Sequence, residues 1–145
     1  MEKFFKTLLL FFFLFTLSPL EVFCGSGKSD ISSDYDWNRV MNAIIIVESE
    51  GKSDAHSGNS VGAMQITPIL VAECNNILRS RRSRKRFKLS DRLSLQKSKE
   101  MFLLFQSRYN PRNSVEWAIR SWNGGIHYSV NRTQRYFEKV MSLLK

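Results

Sequence analysis

An apolar stripe over residues 37 to 48 ends in a carboxylic acid and commits this part of the chain to a helix. Its members recur at intervals of three and four residues, which places them on one side of a helix: Trp37, Val40, Met41, Ile44, Val47 and Glu48. Gly51 follows as a plausible helix stop. Glu48 is therefore expected to point toward the core, where desolvation and the negative end of the helix dipole would both raise its pKa. A raised pKa suits a general acid at neutral pH.

Further helix signals recur along the chain, so the sequence predicts an all-α fold. The predicted helix starts are, in chain order, Thr67 with Pro68, Ser94, Asn113 with Glu116 as a capping-box-like pair, and Thr133. The third of these helices should end at Gly124 and Gly125. Loops are predicted over residues 50 to 66, 80 to 93 and 123 to 132.

The first two dozen residues have the pattern of a secretory signal peptide. Lys3 and Lys6 give a basic start, and the apolar run over residues 8 to 17 is too short to span a bilayer comfortably. The sequence therefore predicts an export signal over residues 1 to 24 and a location in the periplasm or cell envelope. An uncleaved N-terminal anchor and a lipid anchor through Cys24 are the alternatives.

The remainder has the length of one domain with one core. Small and polar residues over positions 25 to 33 predict a flexible linker, and the folded domain is predicted over residues 34 to 145. Only two cysteines occur, so no dense disulfide framework holds the protein together. Cys74 either pairs with Cys24 in an oxidising compartment or packs as a small buried hydrophobe.

Four short motifs follow one another along the chain. They are Glu48-Ser49, then Gly62 to Ile66 with Pro68, then Ser121 to Gly125, then Tyr136 before Lys139-Val140. The ordered set resembles the motifs of the soluble lytic transglycosylase (SLT) domain, although Trp122 stands where that family usually has tyrosine. The resemblance implies a single lysozyme-like domain. It also implies cleavage of the β-1,4 bond between N-acetylmuramic acid and N-acetylglucosamine in peptidoglycan, without water, to leave 1,6-anhydro ends.

The resemblance also implies roles for single residues. Glu48 would be the one catalytic acid and base. The implied substrate-binding residues are Ser49, Met64, Gln65, Asn123 and Tyr136, the last of which would hydrogen-bond Glu48. From the residues alone, Ser49 could instead bond to helix backbone, Met64 could pack in the core, and Tyr136 could be an ordinary core aromatic.

The number of carboxylates near Glu48 separates the possible mechanisms. Most glycosidases use two carboxyl groups, roughly 5 Å apart when retaining and roughly 6.5 to 9.5 Å apart when inverting. Glu50 leaves the helix on a different side from Glu48 and does not form a dyad with it. Asp54, in the next loop, could activate water. A hydrolytic lysozyme-like muramidase is therefore one alternative, and a non-catalytic peptidoglycan-binding or assembly protein is the other.

Seven of the ten residues from Arg79 to Lys88 are basic, in a chain of net charge +9. In a cytosolic protein such a run would suggest nucleic acid. The export signal and the lack of aromatic residues beyond Phe87 argue against that partner, so no nucleic acid is expected. The segment is interpreted either as a contact for anionic envelope polymers or as a solvated loop.

Peptidoglycan strands are the expected partner, and an envelope secretion or conjugation apparatus is a second candidate. No zinc-ligand spacing is present, since His56 and His127 are isolated. The sequence therefore predicts neither a cofactor nor a metal.

Overall fold

The computed structural model describes residues 36 to 145, and the predicted signal peptide, the predicted linker and Cys24 lie outside them. Within this range the chain is mostly helical, as predicted. The α-helices are α1 (Asn38–Ser49), α2 (Pro68–Ser80), α3 (Leu95–Tyr109), α4 (Val115–Gly124) and α5 (Val130–Ser142). None of the helices in residues 36 to 145 is long and apolar enough to cross a membrane.

Two predicted loops contain short regular structure. The loop after α1 holds an antiparallel hairpin of β1 (His56–Ser57) and β2 (Ser60–Val61), in which His56 pairs with Val61. The loop after α2 holds a 3₁₀-helix, Leu89–Leu93. Both elements are too short to leave a periodic hydrophobic pattern, which explains why the sequence did not predict them.

The apolar stripe forms the buried face of α1. Val40, Met41 and Ile44 are almost completely shielded from solvent. The helix ends because Glu50 and Gly51 both adopt left-handed backbone conformations, with φ of 55° and 85°. This end places Glu48 in the last turn, facing α5, against which α1 packs.

The predicted starts of α2 and α3 are confirmed. The Thr67 hydroxyl accepts a 3.2 Å hydrogen bond from the amide of Leu70, with Pro68 in the first turn. The Ser94 hydroxyl accepts one of 3.4 Å from the amide of Lys97. These two helices pack against each other and form one side of the domain.

The predicted start of α4 is wrong by one residue. Ser114, not Asn113, is the N-cap, and its hydroxyl accepts a 3.2 Å bond from the amide of Trp117. Asn113 instead occupies a left-handed turn with φ of 51°. Glu116 forms no capping box, because its carboxylate bonds to Arg120 one turn along the helix.

The predicted start of α5 is also wrong. The helix begins at Val130, after Ser129, so Thr133 lies within its first turns. Thr133 is buried, and its hydroxyl donates a 2.8 Å bond to the carbonyl of Ser129. A threonine that bonds to the carbonyl four residues earlier satisfies its hydroxyl inside a helix and need not act as a cap.

The core is centred on Phe102, which is fully buried on α3. Its ring lies edge-on to Trp37, with 5.7 Å between centroids, and 5.1 Å from the ring of Trp122. Cys74 packs in the same core as a free thiol, and burial raises its pKa to about 12. Cys74 thus packs as a small buried hydrophobe, which is one of the two roles that the sequence allowed for it.

Candidate active site

Glu48 and Tyr136 meet where the end of α1 contacts α5. The phenol of Tyr136 donates a 2.7 Å hydrogen bond to Oε1 of Glu48, so the bond expected from the sequence is present. No group of residues 36 to 145 donates a hydrogen bond to Glu48 Oε2, and this oxygen keeps some exposure to solvent. One oxygen is therefore held by the protein and the other is left for a ligand.

The surroundings of Glu48 favour its neutral form. Burial raises the pKa of Glu48 above its ordinary value of 4.5, and the hydrogen bond from Tyr136 opposes this effect without cancelling it. Burial and the neighbouring carboxylate also raise the pKa of Tyr136, so the phenol stays protonated and acts as a donor. A carboxylic acid that keeps its proton at higher pH than usual can deliver it to a substrate oxygen.

Ser49 lies next to Glu48 but is buried and bonds to backbone. Its hydroxyl is 2.9 Å from the carbonyl of Ala63 and 3.2 Å from that of Ile45. Its single proton is donated to one of the two at a time. This is the backbone-bonded role, not the direct substrate contact that the resemblance implies. Ser49 ties the end of α1 to the segment that carries Ala63.

Met64 is a core residue and not a wall of the cleft. Its side chain is fully buried, so the structure supports the core-packing interpretation over the predicted substrate contact. Only its backbone takes part in the site, because the Met64 carbonyl accepts a 3.3 Å hydrogen bond from the indole of Trp122. This bond joins the segment after β2 to the end of α4.

Gly62 sets the position of this segment. Its φ is 80°, and a Cβ at this residue would lie 2.0 Å from the carbonyl oxygen of Arg92. Only glycine fits so close an approach with a left-handed backbone. The hairpin and the segment of residues 63 to 66 are thereby held against the 3₁₀-helix.

Gln65 presents a buried acceptor that residues 36 to 145 leave unpaired. Its amide nitrogen donates to the carbonyls of Gly62, at 2.9 Å, and Ala55, at 3.2 Å. Its Oε1 is buried and has no partner among residues 36 to 145. A buried acceptor without a donor is costly, so a hydroxyl or amide N–H of a ligand would be bound favourably there.

Gln65 and Asn123 line a cleft of about 430 Å³. Its walls include Gln65, Leu70 and Glu73, then Phe105 and Tyr109 from α3, then Trp122 and Asn123 from the end of α4 and Ile126 just after that helix. Aromatic faces and a few polar groups are the usual composition of a ligand site. Glu48 is not one of the lining residues. It lies on α1, which packs against the helix that carries Trp122 and Asn123.

Sequence reasoning missed the pair of Glu73 and Tyr109 in this cleft. The phenol of Tyr109 donates a 2.5 Å hydrogen bond to Oε1 of Glu73 across α2 and α3. Glu73 lies three residues after Leu70 and so shares its side of α2. That spacing was the available signal, but a single acid on a helix does not distinguish a cleft from a solvated face.

A second missed residue is Arg120, which is buried between α4 and α5. It donates to Glu116 at 2.7 Å and to the backbone carbonyl of Val130 at 3.1 Å. It also donates to Thr133 and Gln134, at 3.1 and 2.8 Å. The guanidinium lies 4.2 Å from the centroid of the Phe137 ring. This network fixes the helix that carries Tyr136.

The two acids that follow Glu48 in the sequence form no hydrogen bond with it. Glu50 is exposed and forms a 3.1 Å ion pair with Lys52. Asp54 is exposed in the loop before the hairpin. The described residues contain no group of three or more histidine, cysteine or acidic side chains placed to hold a metal ion.

Comparison with protein-family models, with curated proteins and with solved structures gives no significant match. The class of protein must therefore be inferred from the residues and their geometry. These define a helical domain with an acid of raised pKa held by a tyrosine, and a cleft lined by amide and aromatic side chains.

Proposed function

We propose that the chain is an exported peptidoglycan lytic transglycosylase with a lysozyme-like domain. The observation that carries this proposal is the state of Glu48, a partly buried acid whose raised pKa and bond to Tyr136 suit proton transfer. The four motifs and the cleft that contains Gln65 and Asn123 support it. The apolar N-terminal pattern supports export to the periplasm or cell envelope.

In the first step Glu48 acts as the general acid. Its proton goes to the oxygen of the β-1,4 bond, and the bond from that oxygen to the anomeric carbon of N-acetylmuramic acid breaks. The carbonyl oxygen of the substrate's own acetamido group bonds to the anomeric carbon, so a second protein carboxylate is not required. Tyr136 stabilises the carboxylate that forms, because its phenol keeps donating to Oε1.

In the second step the same residue acts as the base. Glu48, now a carboxylate, takes the proton from the 6-hydroxyl of the muramic acid. The 6-oxygen bonds to the anomeric carbon and the acetamido oxygen leaves, which closes the 1,6-anhydro ring and returns Glu48 to its protonated state. Gln65 Oε1 and the Asn123 amide would orient the saccharide by hydrogen bonds in the cleft.

Hydrolysis by a muramidase is the second candidate, and Glu73 is the observation that favours it. This carboxylate lies in the cleft, where Tyr109 holds one of its oxygens. A second carboxylate on the far side of the scissile bond would activate water in place of the 6-hydroxyl. In that case Glu73→Gln would abolish turnover, whereas under the transglycosylase proposal it would weaken binding and leave a measurable rate.

The proposal is tested by the release of soluble fragments from purified peptidoglycan. Glu48→Gln should lower the rate by roughly 100-fold or more, because it removes the transferable proton and keeps the shape of the side chain. Glu50→Gln, two residues away and exposed, is the matched control and should keep the rate of the unmodified protein. Equal rates for the two variants would overturn the role of Glu48.

A further inference from the structure

The segment from Arg79 to Lys88 is anchored to the domain. Asn75 forms two hydrogen bonds with the backbone of Phe87, one of 2.9 Å from its amide nitrogen and one of 2.8 Å to its amide oxygen. The Phe87 ring is buried, and the guanidinium of Arg86 donates to the carbonyl of Ser83 at 2.7 Å. The backbone is therefore held in place while the charged side chains around Phe87 point outward.

Most of the positive charge of this segment is not neutralised by acidic side chains of residues 36 to 145. Lys85 pairs with Glu100 at 2.6 Å. Arg82, Arg84 and Lys88 are exposed, and none of the three forms an ion pair with an acidic residue within residues 36 to 145. Side chains of one sign that are concentrated on a fixed loop create a field that attracts anions.

The segment begins where one wall of the cleft ends. Glu73 lines the cleft, and Arg81 follows it by eight residues, about 12 Å further along the direction of α2. The guanidinium of Arg81 donates a 2.9 Å hydrogen bond to Ser107, two residues before Tyr109. Arg108 interacts with the Tyr109 hydroxyl and adds another positive charge beside the cleft.

We propose that this basic segment binds the carboxylates on the peptide branches of the peptidoglycan strand that occupies the cleft. The inference rests on the proposed function, since it takes the strand in the cleft as given. A branch of about four extended residues reaches roughly 13 Å, which matches the rise along α2 from Glu73 to Arg81. Five of the seven bases are arginines, whose planar guanidinium binds carboxylates through two parallel hydrogen bonds.

The test is co-sedimentation of the full chain with insoluble peptidoglycan that has been freed of phosphate polymers. The triple variant Arg82→Asn, Arg84→Gln and Lys88→Gln removes three unpaired charges and leaves Phe87 and its anchor intact. We expect the half-saturating peptidoglycan concentration to rise roughly tenfold, and the loss to shrink as salt is added. Peptidoglycan whose carboxyl groups have been converted to amides should bind the unmodified chain and the triple variant equally weakly.

A control variant removes three positive charges from helix α5 in place of the basic segment. Arg132→Gln, Arg135→Gln and Lys139→Gln lie on exposed positions of α5, which packs on α1 and α4. This control should sediment like the unmodified protein. Equal losses in the two triple variants would mean a general charge effect and would overturn the inference.

The remaining outcomes separate this inference from the proposed function. If the triple variant binds peptidoglycan normally while the unmodified chain releases fragments, the inference fails and the proposed function stands. If binding depends on the three residues but no fragments are ever released, the proposed function fails and the surface assignment stands. Binding to vesicles of anionic phospholipid that is lost in the triple variant, with peptidoglycan binding unchanged, would assign the segment to a membrane and overturn the inference.

Discussion

The phenol of Tyr136 on α5 donates a 2.7 Å hydrogen bond to Oε1 of Glu48, 88 residues earlier in the chain. The two side chains meet because α5 packs against α1. Burial raises the pKa of Glu48, whereas this bond lowers it, so two opposing effects determine that pKa.

Tyr136→Phe should raise the pKa of Glu48 further, because it removes the hydrogen bond that favours the carboxylate. The general acid must be protonated, so the limb at which kcat/KM falls with rising pH should move to higher pH. The rate at the optimum should drop about tenfold or more, since a hydrogen bond to a charged group contributes about 1.5 to 3 kcal/mol. The measurement is a pH profile of fragment release. Tyr128→Phe is the control, and a limb that stays or moves to lower pH contradicts the prediction.

Glu48→Gln should make the folded protein more stable than the unmodified chain at neutral pH. The folded pKa of Glu48 lies above its unfolded value of 4.5, so the stabilisation from its proton is complete below pH 4.5 and is lost as pH rises through the folded pKa. The difference in free energy of unfolding between Glu48→Gln and the unmodified chain should grow by about 1.4 kcal/mol for each pH unit between the two pKa values. Urea unfolding at pH 4 and pH 7 measures it. Glu50→Gln, at an exposed position, is the control, and an equal effect of Glu48→Gln at both pH values would count against a buried acid.

Gly62→Ala should destabilise the fold far more than Gly51→Ala. Both residues have left-handed backbones, with φ of 80° and 85°, but a Cβ added at Gly62 would lie 2.0 Å from the carbonyl oxygen of Arg92, whereas one added at Gly51 would meet no atom within 4 Å. We expect a loss of about 3 kcal/mol at Gly62 and about 1 kcal/mol at Gly51. Denaturant midpoints test this difference. Similar losses at the two positions would show that the close approach to Arg92 is relaxed at little cost.

Arg120→Leu should lower the free energy of unfolding by about 3 kcal/mol, because it removes the buried guanidinium that donates to Val130, Thr133 and Gln134 between α4 and α5. Glu116→Gln, at the exposed end of the same network, should cost less than about 1 kcal/mol. Equilibrium unfolding of both variants measures the two values. A small loss for Arg120→Leu would mean that α5 is held by its apolar face alone.

The features that the sequence predicted well are local. The stripe of α1 and the caps at Thr67 and Ser94 depend on residues within one or two turns, and all three are present. The starts of α4 and α5 were misplaced because cap-competent residues are close together there. Asn113 precedes Ser114, and backbone geometry, not residue type, decided between them.

The features that the sequence did not predict depend on the tertiary fold. Met64 is buried where its carbonyl accepts a bond from Trp122, 58 residues away, and Ser49 is buried where its hydroxyl contacts the carbonyl of Ala63, so both depend on how distant segments pack. Glu73 and Tyr109 are 36 residues apart and meet only when α2 packs on α3. No local pattern contains this information.

The mass of the fragments released from peptidoglycan in heavy-oxygen water tests the central claim most directly. Transfer to the 6-hydroxyl under Glu48 predicts 1,6-anhydromuramic ends that are lighter by one water than reducing ends and that contain no solvent oxygen. These products should disappear with Glu48→Gln. Reducing ends that carry heavy oxygen would contradict the account, because they would show that water attacks the anomeric carbon.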